Sequence, residues 1–180
     1  MSEPDDAVLV AKCLEGDTSV FEQFLERYQR PIFNLALRMV EDYEDARDIT
    51  QTVFVKAWER LETYDPKHKF FSWLYRITVN ESLNLLKRRR RVLEGVQQLL
   101  FNSPRPARAE PHDEGQSVKL RNALMKLKPE HRAVVVLKHL SGCSYRDLSE
   151  ILDIPEKTVK SRLFEARRML RDLLSGEFKP

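Results

Sequence analysis

The sequence predicts an all-α protein: two small helical domains, the second with a helix-turn-helix, joined by a flexible linker. Apolar residues recur at helical spacing over two separate stretches, and no stretch alternates as a strand would. A polar segment with several prolines divides them. The chain has 180 residues and only five glycines, and its many Leu, Glu, Lys and Arg favour helix. Hydrophobic residues make up 42%, enough for one folded domain or two small ones.

The first domain is expected over residues 18–91. "TSVFEQFLERYQRPIFNLALRMV" places Phe21, Phe24, Leu25, Tyr28, Ile32, Leu35 and Ala36 at helical spacing. Ser19 and Glu22 fit a capping box ahead of it, and Pro31 is expected to kink or break it. "DYEDARDITQTVFVKAWERL" starts a second helix with Asp42 as N-cap. Ala46, Ile49, Val53, Phe54, Ala57 and Leu61 share its apolar arc, and Asp48, Gln51, Thr52, Val55 and Glu59 the opposite one. Val55 in that polar setting marks a candidate protein contact, although single exposed apolar residues are common.

A third helix covers "FFSWLYRITVNESLNLLKRRRR". Phe70, Leu74, Ile77 and Leu85 form one apolar face, and Tyr75, Val79, Leu83 and Leu86 another. Between them runs a stripe of Arg76, Asn80, Asn84 and Lys87, and the helix ends in Arg88 to Arg91. Amides at successive turns can bond base edges while cations take phosphates. The preceding "TYDPKHKFF" carries Lys67 and Lys69 among aromatics, and such rings can stack an unstacked base. The plainer alternative makes Phe70, Phe71 and Trp73 core, with the arginines favouring a helix C-terminus.

Residues 92–118 read as the linker, with "VLEGVQQLLF" as one short helix at its start. The second domain is expected over 119–176. "VKLRNALMKL" and "PEHRAVVVLKHL", with Pro129 in a first turn, give two helices. In "YRDLSEILDIPEKTVKSRLFEARR", Ser144 and Asp147 form a capping pair, and Leu148, Ile151 and Leu152 an apolar edge. Asp153 suits a left-handed turn, and Pro155 opens the next helix. There Val159, Leu163, Ala166 and Leu170 share one face. Lys157, Ser161, Phe164 and Arg168 share another, flanked by Thr158, Lys160 and Arg162, with Arg146 on the helix before. This spacing is that of a helix-turn-helix, whose second helix enters the major groove. The alternative is a plain surface hairpin of two helices.

Charge is segregated although the net is only +3. Residues 1–65 hold 7 basic and 15 acidic side chains (7 − 15 = −8), residues 66–91 hold 8 and 1 (+7), and residues 119–176 hold 13 and 7 (+6). Two basic surfaces suit a polyanion, and the acidic start suits a different partner. Solvated helix faces are the bland alternative. There is no phosphate-binding glycine loop, no HExxH and no Cys-x-x-Cys, so no enzyme, cofactor or metal is expected. His68, His112, His131 and His139 are scattered, and Cys13 and Cys143 lack ligand spacing. No apolar run suits a membrane span and no secretory signal opens the chain, so a cytoplasmic protein with free thiols is expected.

"DARDITQTVFVKAWERL", then "FFSWLYRITVNESLNLLKRRRR", a linker, and "YRDLSEILDIPEKTVKSRLFEARR" resemble the extracytoplasmic-function (ECF) sigma factors of bacteria, in the sigma-70 family. The resemblance spans about residues 18–174. It implies a transcription initiation factor that docks on the β′ clamp helices of core RNA polymerase through Asp48, Gln51, Thr52, Val55 and Glu59. It implies recognition and opening of the promoter −10 element by Tyr64, Lys67, Lys69, Phe70, Phe71, Arg76, Asn80, Asn84, Lys87 and Arg88. It assigns the −35 element to Arg146, Lys157, Thr158, Lys160, Ser161, Arg162, Phe164 and Arg168. It also implies an inhibitory anti-sigma partner, and domains that move independently in the free factor. Lys157 stands where the family often has Gly, and Glu165 where it often has Arg. The competing reading, a helix-turn-helix regulator acting without polymerase, leaves residues 18–91 unexplained.

Overall fold

The computed structural model describes residues 5–99 and 116–175. The described residues are helical, with no strand among them. Helix α1 (Asp6–Leu14), which the sequence reading did not identify, starts on Asp5, whose carboxylate accepts from the Ala7 amide at 3.3 Å. Helix α2 (Phe21–Val40) has no Ser19–Glu22 capping box. A 3₁₀ turn at Thr18–Val20 leads into it and takes its first amides, while the Ser19 hydroxyl donates to Asp17 at 2.6 Å. Pro31 does not break α2. Phe24 on one side of it and Ile32, Leu35 and Ala36 on the other are all buried, so packing holds both halves in line.

Glu41 turns the chain with φ of 55°, and Asp42 caps α3 (Tyr43–Glu59) by accepting from Asp45 at 3.1 Å. Helix α4 (Phe70–Leu99) is longer than predicted. "VLEGVQQL" continues it rather than forming a separate helix, because Gly95 alone costs only about 1 kcal/mol and no proline intervenes. The start of the expected linker is thus helical, and residues 100–115 of it lie outside the described residues. Helices α2, α3 and α4 form the first bundle, with α1 against α2. Their core is aromatic: the Phe70 ring sits 4.3 Å from Phe24, 5.2 Å from Tyr64 and 5.5 Å from Trp73.

The second unit comprises α5 (Gln116–Lys126), α6 (Pro129–Val135), α7 (Tyr145–Leu152) and α8 (Glu156–Ser175). Pro129 occupies the first turn of α6, and a π-helical turn, Val136–Leu140, extends it. The predicted capping box is present: Ser144 accepts from the Asp147 amide at 3.1 Å, and Asp147 accepts from the Ser144 amide at 2.8 Å. Burial opposes ionisation of Asp147, but hydrogen bonds from Ser144 and Lys69 outweigh it and hold the carboxyl below its usual range. Asp153 is left-handed at φ 54°, as expected. Leu148, Ile151, Val159, Leu163 and Ala166 meet in a core almost closed to solvent.

The two units pack on each other instead of standing apart. Helix α4 lies along α7, and α2 meets the π-helical turn. Arg132, buried in the second unit, donates to the carbonyls of Leu124, Met125 and Leu127, and also to Met39 of α2.

Candidate nucleic-acid interface

Helix α8 divides as its spacing predicts. Val159, Leu163, Ala166 and Leu170 are buried, while Lys157, Ser161, Phe164 and Arg168 are exposed. Phe164 is 69% exposed, a large apolar ring turned outward on a basic helix. Thr158 and Arg162 are half-buried at the margins. The Ser161 hydroxyl donates to the Thr158 carbonyl at 3.0 Å, so its lone pairs stay free to accept. Lys160 lies over the Tyr145 ring, and Arg146 pairs with Glu150 at 3.3 Å. Glu165 turns toward α6, where its carboxylate sits 3.2 Å from His131 Nε2. The acid therefore leans off the basic face. Arg167 donates to His139, whose pKa is lowered by burial and by the neighbouring Arg167 and Lys138.

The second basic face lies on α4 and the loop before it. Asn80, Asn84, Lys87 and Arg88 are exposed along one side. Asn84 and Arg88 border a cleft of about 310 Å³ shared with Asp45, Asp48, Thr52 and Glu81. Arg89 pairs with Asp45, so one cation of this basic run is already balanced, while Glu81 of the same helix pairs with Lys56 of α3 at 2.6 Å. Lys67 and Lys69 are exposed. Two ring residues expected at the DNA are not on the surface. Phe70 is 2% exposed, and Tyr64 is buried with its hydroxyl donating to the His68 carbonyl at 2.7 Å. Here these two side chains pack the core; for Phe70 that is the plainer alternative, which did not include Tyr64. Phe71 is half-buried beside Lys69.

On α3, Asp48, Gln51, Val55 and Glu59 are exposed and Thr52 half-buried. They divide between two depressions. Asp48 and Thr52 border the cleft toward α4, whereas Gln51, Val55 and Glu59 line a groove of about 1050 Å³ between α2 and α3. Its apolar lining includes Phe33, Tyr43 and Trp58, which the sequence reading missed. Trp58 lies one turn beyond Phe54, at the edge of the apolar arc. The signal was present but resembles an ordinary core position.

A capped helix-turn-helix with an outward basic face, a second amide and cation stripe, and a separate apolar groove define a DNA-binding protein with a protein partner. Sigma-70 region 2 matches residues 24–92, and sigma-70 region 4 matches residues 117–170. The RNA polymerase sigma-H factor of Pseudomonas aeruginosa is 30% identical, over 94% of each chain. The ECF RNA polymerase sigma factor SigW of Bacillus subtilis is 31% identical, over 89% of this chain and 91% of its own. The solved structure of CnrH in complex with the cytosolic domain of CnrY is 26% identical, covers 95% of this chain and 97% of its own, and superposes with a TM-score of 0.71. The chain belongs to the ECF RNA polymerase sigma factors. It is a bacterial transcription initiation factor that binds core RNA polymerase and directs it to promoters through their −35 and −10 elements.

Proposed function

We propose that each surface has its own task within that function. The second unit reads the −35 element in the major groove with Lys157, Ser161, Phe164 and Arg168, while Arg146, Thr158, Lys160 and Arg162 hold the backbone. The first unit takes the −10 element with Lys67, Lys69, Phe71, Arg76, Asn80, Asn84, Lys87 and Arg88. Tyr64 and Phe70 support that surface from beneath. The α3 arc and its groove dock on the β′ clamp helices. The observation that carries this reading is α8: four exposed side chains on one stripe, opposite a closed core and behind a capping box. CnrH was solved in complex with the cytosolic domain of CnrY; we carry a protein partner over to this chain, and assign it the role of an anti-sigma factor. Its place of action is the cytoplasm, with the polymerase. No described helix is long and apolar enough to cross a membrane.

Lys157→Ala tests the −35 assignment. Binding to a library of −35 sequences should change preference at particular positions, by about 1–3 kcal/mol where Lys157 meets a base. An equal loss across all sequences would make Lys157 a phosphate contact only.

A further inference from the structure

Two histidines from the helix behind α8 hold two of its charged side chains. His131, in the first turn of α6, places Nε2 3.2 Å from the Glu165 carboxylate. A carboxylate only accepts, so Nε2 carries the proton. The other ring nitrogen, Nδ1, is buried without a hydrogen-bond partner, so Glu165 is the ring's one polar link among the described residues. His139, at the far end in the π-helical turn, faces Arg167. A guanidinium only donates, and its Nη2 and Nε lie 2.9 and 3.3 Å from His139 Nε2. That nitrogen is therefore the acceptor and the ring is neutral, a form favoured by burial and by the charges of Arg167 and Lys138.

Seven residues make nearly two full helical turns. Glu165 therefore continues the row of Thr158 along α8, and Arg167 the row of Lys160. These rows flank the face of Lys157, Ser161, Phe164 and Arg168, where the DNA backbone would pass. Glu165 also stands three residues from Arg162 and three from Arg168, a helical spacing at which ion pairs form. An acid released from His131 would compete with phosphate for those cations.

We infer that His131 and His139 are positioning residues for −35 binding: each draws one charged side chain of α8 away from the DNA backbone, His131 the acid and His139 the base. The inference rests on the −35 assignment of α8. Its signature is a pair of opposite effects. Loss of His131 frees Glu165 and weakens binding, whereas loss of His139 frees Arg167 and strengthens it. Lost packing would weaken both.

The test uses the full chain and short duplex DNA of random sequence, read by fluorescence anisotropy at several salt concentrations. Affinity should fall about threefold in His131→Phe and rise about threefold in His139→Ala, the scale of one exposed ion pair. Salt dependence should steepen in His139→Ala, by a slope of about 0.9 for one added phosphate contact. His131→Gln, which keeps a donor, and His139→Gln, which keeps an acceptor, should both bind as the parent does. Glu165→Gln should raise affinity more in His131→Phe than in the parent, and Arg167→Ala should lower it more in His139→Ala than in the parent. Equal effects in the two backgrounds, or a fall in affinity for both histidine variants, overturn the positioning role. Should His131→Phe fold poorly by circular dichroism, His131→Leu takes its place. Lys157→Ala/Arg168→Ala separates the inference from the reading beneath it. Parental affinity in that variant overturns the −35 assignment and the positioning with it, whereas weakened binding with no difference between backgrounds overturns the positioning alone.

Discussion

Phe70→Ala is expected to destabilise the protein by about 3–5 kcal/mol, the usual cost of emptying a buried phenylalanine site. Phe70 is 2% exposed and has rings of Phe24, Tyr28, Tyr64 and Trp73 around it. These rings come from α2, the loop before α4, and α4 itself, so one truncation loosens three segments at once. No neighbour can collapse into the space without abandoning an edge-to-face or tilted contact. Phe71→Ala is the comparison. Its ring is half-buried and meets Tyr75 and Lys69 at the margin, so a cost of about 1 kcal/mol is expected there. Urea unfolding of both variants measures the difference. A Phe70→Ala protein as stable as the parent, but weaker on −10 DNA, would return Phe70 to the DNA surface.

That contrast shows where sequence was informative. Period located the helices other than α1, though not the full length of α4, and selected the buried edge of α8, because Val159, Leu163, Ala166 and Leu170 satisfy one local pattern. Local chemistry was equally legible: the Ser144–Asp147 box, Asp42 as N-cap and Asp153 in a left-handed turn each depend on neighbours a few residues away. Pro31 failed as a helix breaker because tertiary packing outweighs a local penalty. Phe70 and Phe71 stand side by side with the same composition around them, and only the fold decides which ring turns inward. The α4–α7 contact was not legible at all. Lys69 and Asp147 are 78 residues apart, and Arg76 and Asp153 are 77 apart. Charge segregation pointed to a polyanion outside the chain, whereas the nearest anions are the chain's own.

The groove between α2 and α3 carries the other large effect. Trp58 and Val55 are 44% and 51% exposed, and Tyr43 is 63% exposed beside them. Exposed aromatic and aliphatic groups lining a groove of about 1050 Å³ are suited to receive a helical partner's apolar ridge. Gln51, Glu59 and Arg47 border it and supply a polar rim. Buried tryptophan anchors are common hot spots, each worth about 2 kcal/mol or more. Val55→Asp places an unpaired carboxylate in that contact, while its present exposure leaves the fold little affected. Val55→Asp/Trp58→Ala should therefore weaken core polymerase binding by about a hundredfold or more, or roughly 2.7 kcal/mol. Asp48→Ala/Gln51→Ala, at the margin, should cost less, because rim contacts contribute little. Trp58 also meets Phe21 edge-on at 5.1 Å, so a thermal melt must accompany the measurement. Fluorescence titration against core enzyme gives the affinities, and binding of a −35 duplex by the same chains checks the second unit. Undiminished core affinity in the Val55/Trp58 variant would remove the groove from the polymerase interface. Loss of both affinities together would mean that the substitutions act through the fold.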